Sequence, residues 1–165
     1  MKKLATMGLL TLGFFLAGCG ATTPPATTTA GGNWEATLVG PPANETVFNF
    51  IATFSVNGNG ALNVSVLNFI TTGPCFPVAG ETVGGSFNVT SAESNPAATA
   101  NVTFNVEGGN DKLALTGIAT GVTNTTTLAT TWNAITGTWQ VTGGANCTGS
   151  GTFTMCPNAK ACSTT

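Results

Sequence analysis

The chain has 165 residues, enough for one domain of ordinary size. Charge is sparse: Lys2, Lys3, Lys112 and Lys160 face six carboxylates, with no Arg, His or Tyr, for a formal net charge of −2. This excludes a nucleic-acid binder, which needs a basic face to neutralise phosphates, triads and metal sites built on imidazole, and an arginine clamp on phosphate or carboxylate.

The N-terminus reads as an address. Lys2 and Lys3 precede an apolar run over 4–17 that only Thr and Gly interrupt. A run of 14 residues is too short to cross ~30 Å of hydrocarbon as a helix, and it fits an export signal over 1–18. The next residues, Leu16-Ala17-Gly18-Cys19, resemble the lipobox of bacterial lipoproteins. The resemblance implies a signal peptide cut before Cys19, a diacylglycerol on the Cys19 sulfur, and a palmitate-type acyl chain on the new amino group. Two or three chains on one residue hold a protein in a membrane, where a single chain is marginal. Gly20 stands where an Asp would favour retention at the inner membrane. By the same resemblance, the expected location is the cell outer membrane, on its periplasmic face or at the surface. Residues 19–32 then form the lipidated Cys and a flexible Thr/Pro tether, stiffened at Pro24-Pro25 and loosened at Gly31-Gly32. Its reach is at most about 40 Å.

From residue 33 to 165 the pattern has period two. Phe48, Phe50, Ala52, Phe54 and Val56 share one parity, as do Ala100, Val102, Phe104 and Val106 between Thr and Asn. Such alternation argues for strands buried on one face. Asn57-Gly58-Asn59-Gly60 and Glu107-Gly108-Gly109-Asn110-Asp111 each separate two apolar runs and read as hairpin turns. Strands are predicted near 33–39, 46–56, 61–70, 84–90, 98–106, 112–120, 125–132, 136–142 and 149–155. The fold class is therefore all-β, an antiparallel meander barrel or sandwich of about 8–9 strands.

A weak echo, Gly-x-aromatic-x-small-Thr, begins at Gly32, Gly85 and Gly137 and invites a search for repeats. The first copy, Gly32-Asn33-Trp34, resembles the Gly-x-Trp that opens the lipocalin barrel, where the Trp plugs one end; the Arg that packs on it in that family has no counterpart here. A broader likeness is to small uncharacterised β-rich bacterial lipoproteins. It is carried by Gly32-Asn33-Trp34 after the tether, Pro74-Cys75, Gly137-Thr138-Trp139 and Cys147-Thr148-Gly149-Ser150-Gly151-Thr152-Phe153. No function comes with it.

Beyond Cys19 the cysteines are Cys75, Cys147, Cys156 and Cys162. An even number in an exported chain reads as disulfides. Of the three possible connectivities, Cys75–Cys147 with Cys156–Cys162 is preferred. The first would tie the loop after the third strand to the last hairpin, and the second would pin the C-terminus. Metal-site spacing is absent, so neither a metal nor any other cofactor is expected.

The carboxylates Glu35, Glu45, Glu81, Glu93, Glu107 and Asp111 are scattered over loops and turns, with the hairpin acids expected to face solvent. No acid pair for glycoside chemistry stands out, and the domain reads as non-enzymatic. Trp34, Trp132 and Trp139 either fill the core or line an apolar pocket. Two functional readings follow: a lipid-anchored interaction module with a protein or polysaccharide partner, or a lipocalin-like carrier of a small apolar ligand.

Overall fold

The computed structural model describes residues 30–41, 45–76, 80–91, 97–144 and 146–157. The signal segment, Cys19, most of the tether and Cys162 lie outside the described residues. Eight strands follow in order: β1 (Gly32–Gly40), β2 (Glu45–Val56), β3 (Leu62–Thr71), β4 (Thr82–Ser91), β5 (Ala97–Gly108), β6 (Asp111–Thr123), β7 (Thr130–Thr142) and β8 (Gly149–Pro157). All pair antiparallel in one sheet of order β3-β2-β1-β8-β7-β6-β5-β4. Every neighbour in that order is a neighbour in sequence except β8 and β1. The single sheet curls into a half-barrel, which decides between barrel and sandwich against the sandwich.

Alternation places the core. Along β5 and β6 every second residue is buried, giving Ala98, Ala100, Val102, Phe104 and Val106 on one strand and Leu113, Leu115 and Ala119 on the next. The same rule points Trp34, Ala36 and Leu38 of β1 inward, along with Phe48, Phe50, Ala52 and Phe54 of β2. Rings then meet across the interior: Phe50 stacks on Phe104 at 5.6 Å, and Phe48 meets Trp139 edge-on at 5.4 Å. Each such ring contributes a few kcal/mol through area removed from water, of the order of 2–3.

Three inward positions are glycine for a steric reason. Gly117 of β6 pairs with Gly137 of β7, which pairs with Phe153 of β8. A Cβ at either glycine would lie 2.9 Å from the Phe153 ring and would collide with a carbonyl oxygen of the adjacent strand. Gly151 would meet the Val39 carbonyl in the same way. Bare backbone along this wall lets strands β6, β7, β8 and β1 coil tightly.

The structure differs from the sequence reading at four places. The expected strands 125–132 and 136–142 are one strand, β7; residues 125–127 form a turn in which Asn124 Oδ1 accepts the Thr126 and Thr127 N–H groups at 2.9 and 3.0 Å. Ala30, read as tether, is buried and already belongs to the domain. Asp111, expected in solvent as a hairpin acid, is only 6% exposed. The three echoed segments occupy different heights: Trp34 is third in β1, Phe87 sixth in β4 and Trp139 tenth in β7, so their shared pattern reflects inward aromatics rather than equivalent positions. The Asn57–Gly60 turn forms as read, with Asn57 N–H donating to the Ala61 carbonyl at 3.1 Å and Gly60 at φ 82°.

Candidate functional site

The three tryptophans are buried in one continuous core. Trp34 stacks on Phe54 at 5.9 Å, Trp132 meets Phe87 edge-on at 4.8 Å, and Trp139 packs on Phe48. Their polar atoms fare differently. The Trp139 indole N–H donates to the Val39 carbonyl at 3.0 Å, whereas the indole N–H groups of Trp34 and Trp132 are buried without an acceptor. A donor left unpaired inside a protein costs about 1–3 kcal/mol. Trp34→Phe and Trp132→Phe each exchange that cost for a small void, and each is expected to change stability by less than about 1 kcal/mol. Trp139→Phe loses a made bond to the Val39 carbonyl, and should cost more than either of the other two, about 1–2 kcal/mol. Urea denaturation of the three variants checks the order; equal losses would mean that the buried indoles do find partners.

One mouth of the half-barrel is cross-braced. Cys75 and Cys147 form a disulfide across 72 residues of sequence. Beside it, Asp111 accepts two backbone hydrogen bonds, from Phe76 N–H at 2.8 Å and from Gly144 N–H at 3.0 Å. The covalent bond and the carboxylate thus join the same two connections, β3 to β4 and β7 to β8. They hold Phe76 over the mouth, where its ring stacks on Phe69 at 5.1 Å and meets Phe48 at 6.5 Å. Cys156 is also disulfide-bonded; its expected partner Cys162 is outside the described residues.

Among the described residues, the remaining acids do not converge. Glu35 lies on the outer face and accepts from Asn49 Nδ2 at 3.4 Å, while Glu107 pairs with Lys112 at 3.2 Å on an exposed hairpin. Among the described residues, no three of Asp, Glu, Cys and His cluster in a way that could hold a metal.

The most distinctive surface is the seam between β3 and β4. These two edge strands share one rung, Ala61 with Ser86, backed by Phe87 N–H donating to the Gly60 carbonyl at 2.7 Å. Above that rung no ladder joins them among the described residues. The reason is local. The β3–β4 connection is drawn across the mouth by Cys75 and Phe76. Gly85 in β4 has φ 155°, and a Cβ there would strike the Thr103 carbonyl. Apolar side chains gather along the gap. Of the six half-buried hydrophobics packed against the core, Val64, Leu67, Phe69 and Val83 lie on these two strands. Of the five large hydrophobics exposed among the described residues, Val66 (50%), Ile70 (57%) and Val89 lie there too.

Sequence reasoning missed this surface, although β3 carries a signal. Its alternation breaks: Leu62 and Val64 face inward, then Leu67 and Phe69, with Val66 and Ile70 outward. A register shift at Thr53/Phe54 in the β2–β3 ladder changes the phase and leaves apolar residues on both faces.

These features define a class: an eight-stranded antiparallel half-barrel with a packed aromatic core, braced at one mouth and open along one seam. No family model, curated protein or solved structure matches the chain.

Proposed function

We propose that the protein is a lipid-anchored component of the bacterial envelope whose half-barrel serves as a non-enzymatic interaction module. The observation that carries the module is the seam: an unpaired sheet edge and an apolar strip on the same strands, in a chain whose other outward positions are mostly Thr, Asn and Ser. Free backbone groups supply hydrogen bonds to an added strand, and alternate side chains select it. The anchor rests on the lipobox residues Leu16 to Cys19, and the outer-membrane location on Gly20. The carrier reading has less behind it, because Trp34, Trp132 and Trp139 spend their faces on Phe54, Phe87 and Phe48.

Two measurements test the two halves. Mass spectrometry of the native protein should find Cys19 as the first residue with diacylglycerol and acyl mass added, and Cys19→Ala should leave the membrane fraction. An intact leader on wild-type protein would end the anchor reading. On living cells, a photo-crosslinking amino acid in place of Val66 should capture a macromolecule, while the same group in place of Thr120, on the outer face of β6, should not. Silence at both positions would remove the seam as the working surface.

A further inference from the structure

We propose that the partner at the seam is a second copy of this chain, joined β3 to β3 about a two-fold axis through Asn68. This rests on the interaction-module reading above and deepens it.

The two edges of the sheet are not equivalent. β4 is a poor template: it carries Gly84-Gly85, with Gly85 at φ 155°, and its ladder with β5 shifts register between Val89 and Ser91. β3 pairs in continuous register with β2 from Val66 to Phe69, between register shifts at Ser65 and Ile70, and has none of the usual guards of an exposed edge, no Lys, no other charge, no Pro and no Gly in Leu-Asn-Val-Ser-Val-Leu-Asn-Phe-Ile-Thr. One competent edge cannot propagate a fibre. Among copies of this chain it can meet only its own equivalent, and a two-fold axis normal to the sheet makes the two strands antiparallel.

The register follows from the residues. With Asn68 on the axis, Val66 lies opposite the partner's Ile70, and Ile70 opposite the partner's Val66. The two most exposed hydrophobics of β3 thereby cover each other on the outer face. On the inner face the same register sets Leu67 against the partner's Phe69, so both half-buried residues gain cover. Directly opposed apolar pairs are the stabilising unit of a sheet. The paired span, 66 to 70, lies above the Ala61–Ser86 rung, and so uses the part of β3 that β4 leaves free. A one-residue slip would put inward residues against outward ones and lose every one of these pairs. Because β3 is uncharged, two copies meet without repulsion, and salt should leave the dimer unchanged.

The test uses the full-length protein, purified in a mild detergent. Sedimentation at micromolar concentration should give twice the chain mass. Val66→Lys and Ile70→Lys should each weaken the dimer at least about tenfold, as a charge on an edge strand does. Ile118→Lys, at an equally exposed site on β6, should leave it intact. A cooperative urea transition for each variant shows that it has folded. Photo-crosslinking from position 66 should map to the segment around residue 70 of another copy. A monomeric wild type, a dimer that survives both β3 charges, or one broken by Ile118→Lys overturns the proposal. A monomer whose position 66 captures a different protein on cells rejects self-pairing while keeping the module reading; a monomer that captures nothing rejects both.

Discussion

Gly137→Ala is expected to be the most damaging single-methyl change in the domain, costing more than about 4 kcal/mol, a large share of the roughly 5–15 kcal/mol that holds a domain of this size. The added Cβ would sit 2.5 Å from the Gly117 Cα and 2.9 Å from the Phe153 ring, and would run into the Thr116 carbonyl oxygen. Two of these three neighbours are backbone in a continuous ladder, so no rotamer change relieves the contact. β6 and β7 would have to part, with loss of ladder bonds and of the Phe153 packing. Gly109→Ala is the control. Gly109 has φ 61° and open space around its missing Cβ, so that change should cost only the conformational penalty of about 1 kcal/mol. Chemical denaturation of both variants separates collision from backbone preference. A loss below about 1 kcal/mol for Gly137→Ala would mean that the inner wall is looser than its geometry states. The consequence reaches the seam, because the tight coil at β6 to β1 brings the two ends of the sheet round to face each other.

The sequence made parts of this legible, unevenly and for physical reasons. β5 and β6 could be read nearly to their ends, because strict alternation between two turn signals leaves one arrangement that buries Val102, Phe104, Leu113 and Leu115 together. The Cys75–Cys147 pair was legible as chemistry: with Cys19 set aside for lipid, four thiols remain in a chain read as exported. β7 was misread as two strands with a break at 133–135. A phase change there, with Trp132 and Ile135 both inward three residues apart, looks like an interruption in the sequence and is a register shift in the ladder. Residues 125–127, all Thr, have strand propensity, but the Asn124 side chain claims the Thr126 and Thr127 N–H groups for a turn; a local hydrogen bond outweighs a weak intrinsic preference. Asp111 was beyond sequence reasoning. Its burial depends on Phe76 and Gly144, 35 and 33 residues away, which only the closed mouth brings together. The seam was equally hidden, since it is defined by two strands that fail to pair, and a strand written for an edge differs from one written for the interior only by the broken alternation of β3.

The mouth should behave as one cooperative brace. Replacing Cys75 and Cys147 together by Ser opens a loop of 72 residues in the unfolded chain, for which the chain-entropy relation gives a loss of about 4 kcal/mol. Asp111→Asn keeps the side-chain shape but turns an amide N–H₂ toward a backbone N–H, so one of two donors, Phe76 or Gly144, loses its acceptor. That should cost about 2–3 kcal/mol. The two effects should not add. Phe76 holds a left-handed backbone, φ 53°, which a non-glycine residue adopts only when its surroundings insist. The disulfide at Cys75 and the Asp111 bond to Phe76 N–H both enforce it. Once either is gone, Phe76 can relax and leave the Phe69 and Phe48 rings, and removing the second restraint then costs less. In a double-mutant cycle the combined loss should fall short of the sum by at least about 1 kcal/mol. Strict additivity would show that bond and carboxylate act independently, despite joining the same two loops. The seam supplies a second readout: freeing the β3–β4 connection from the mouth should loosen the upper end of β3, and hydrogen exchange should rise at Phe69, Ile70 and Thr71 in both variants while the β5–β6 ladder stays protected.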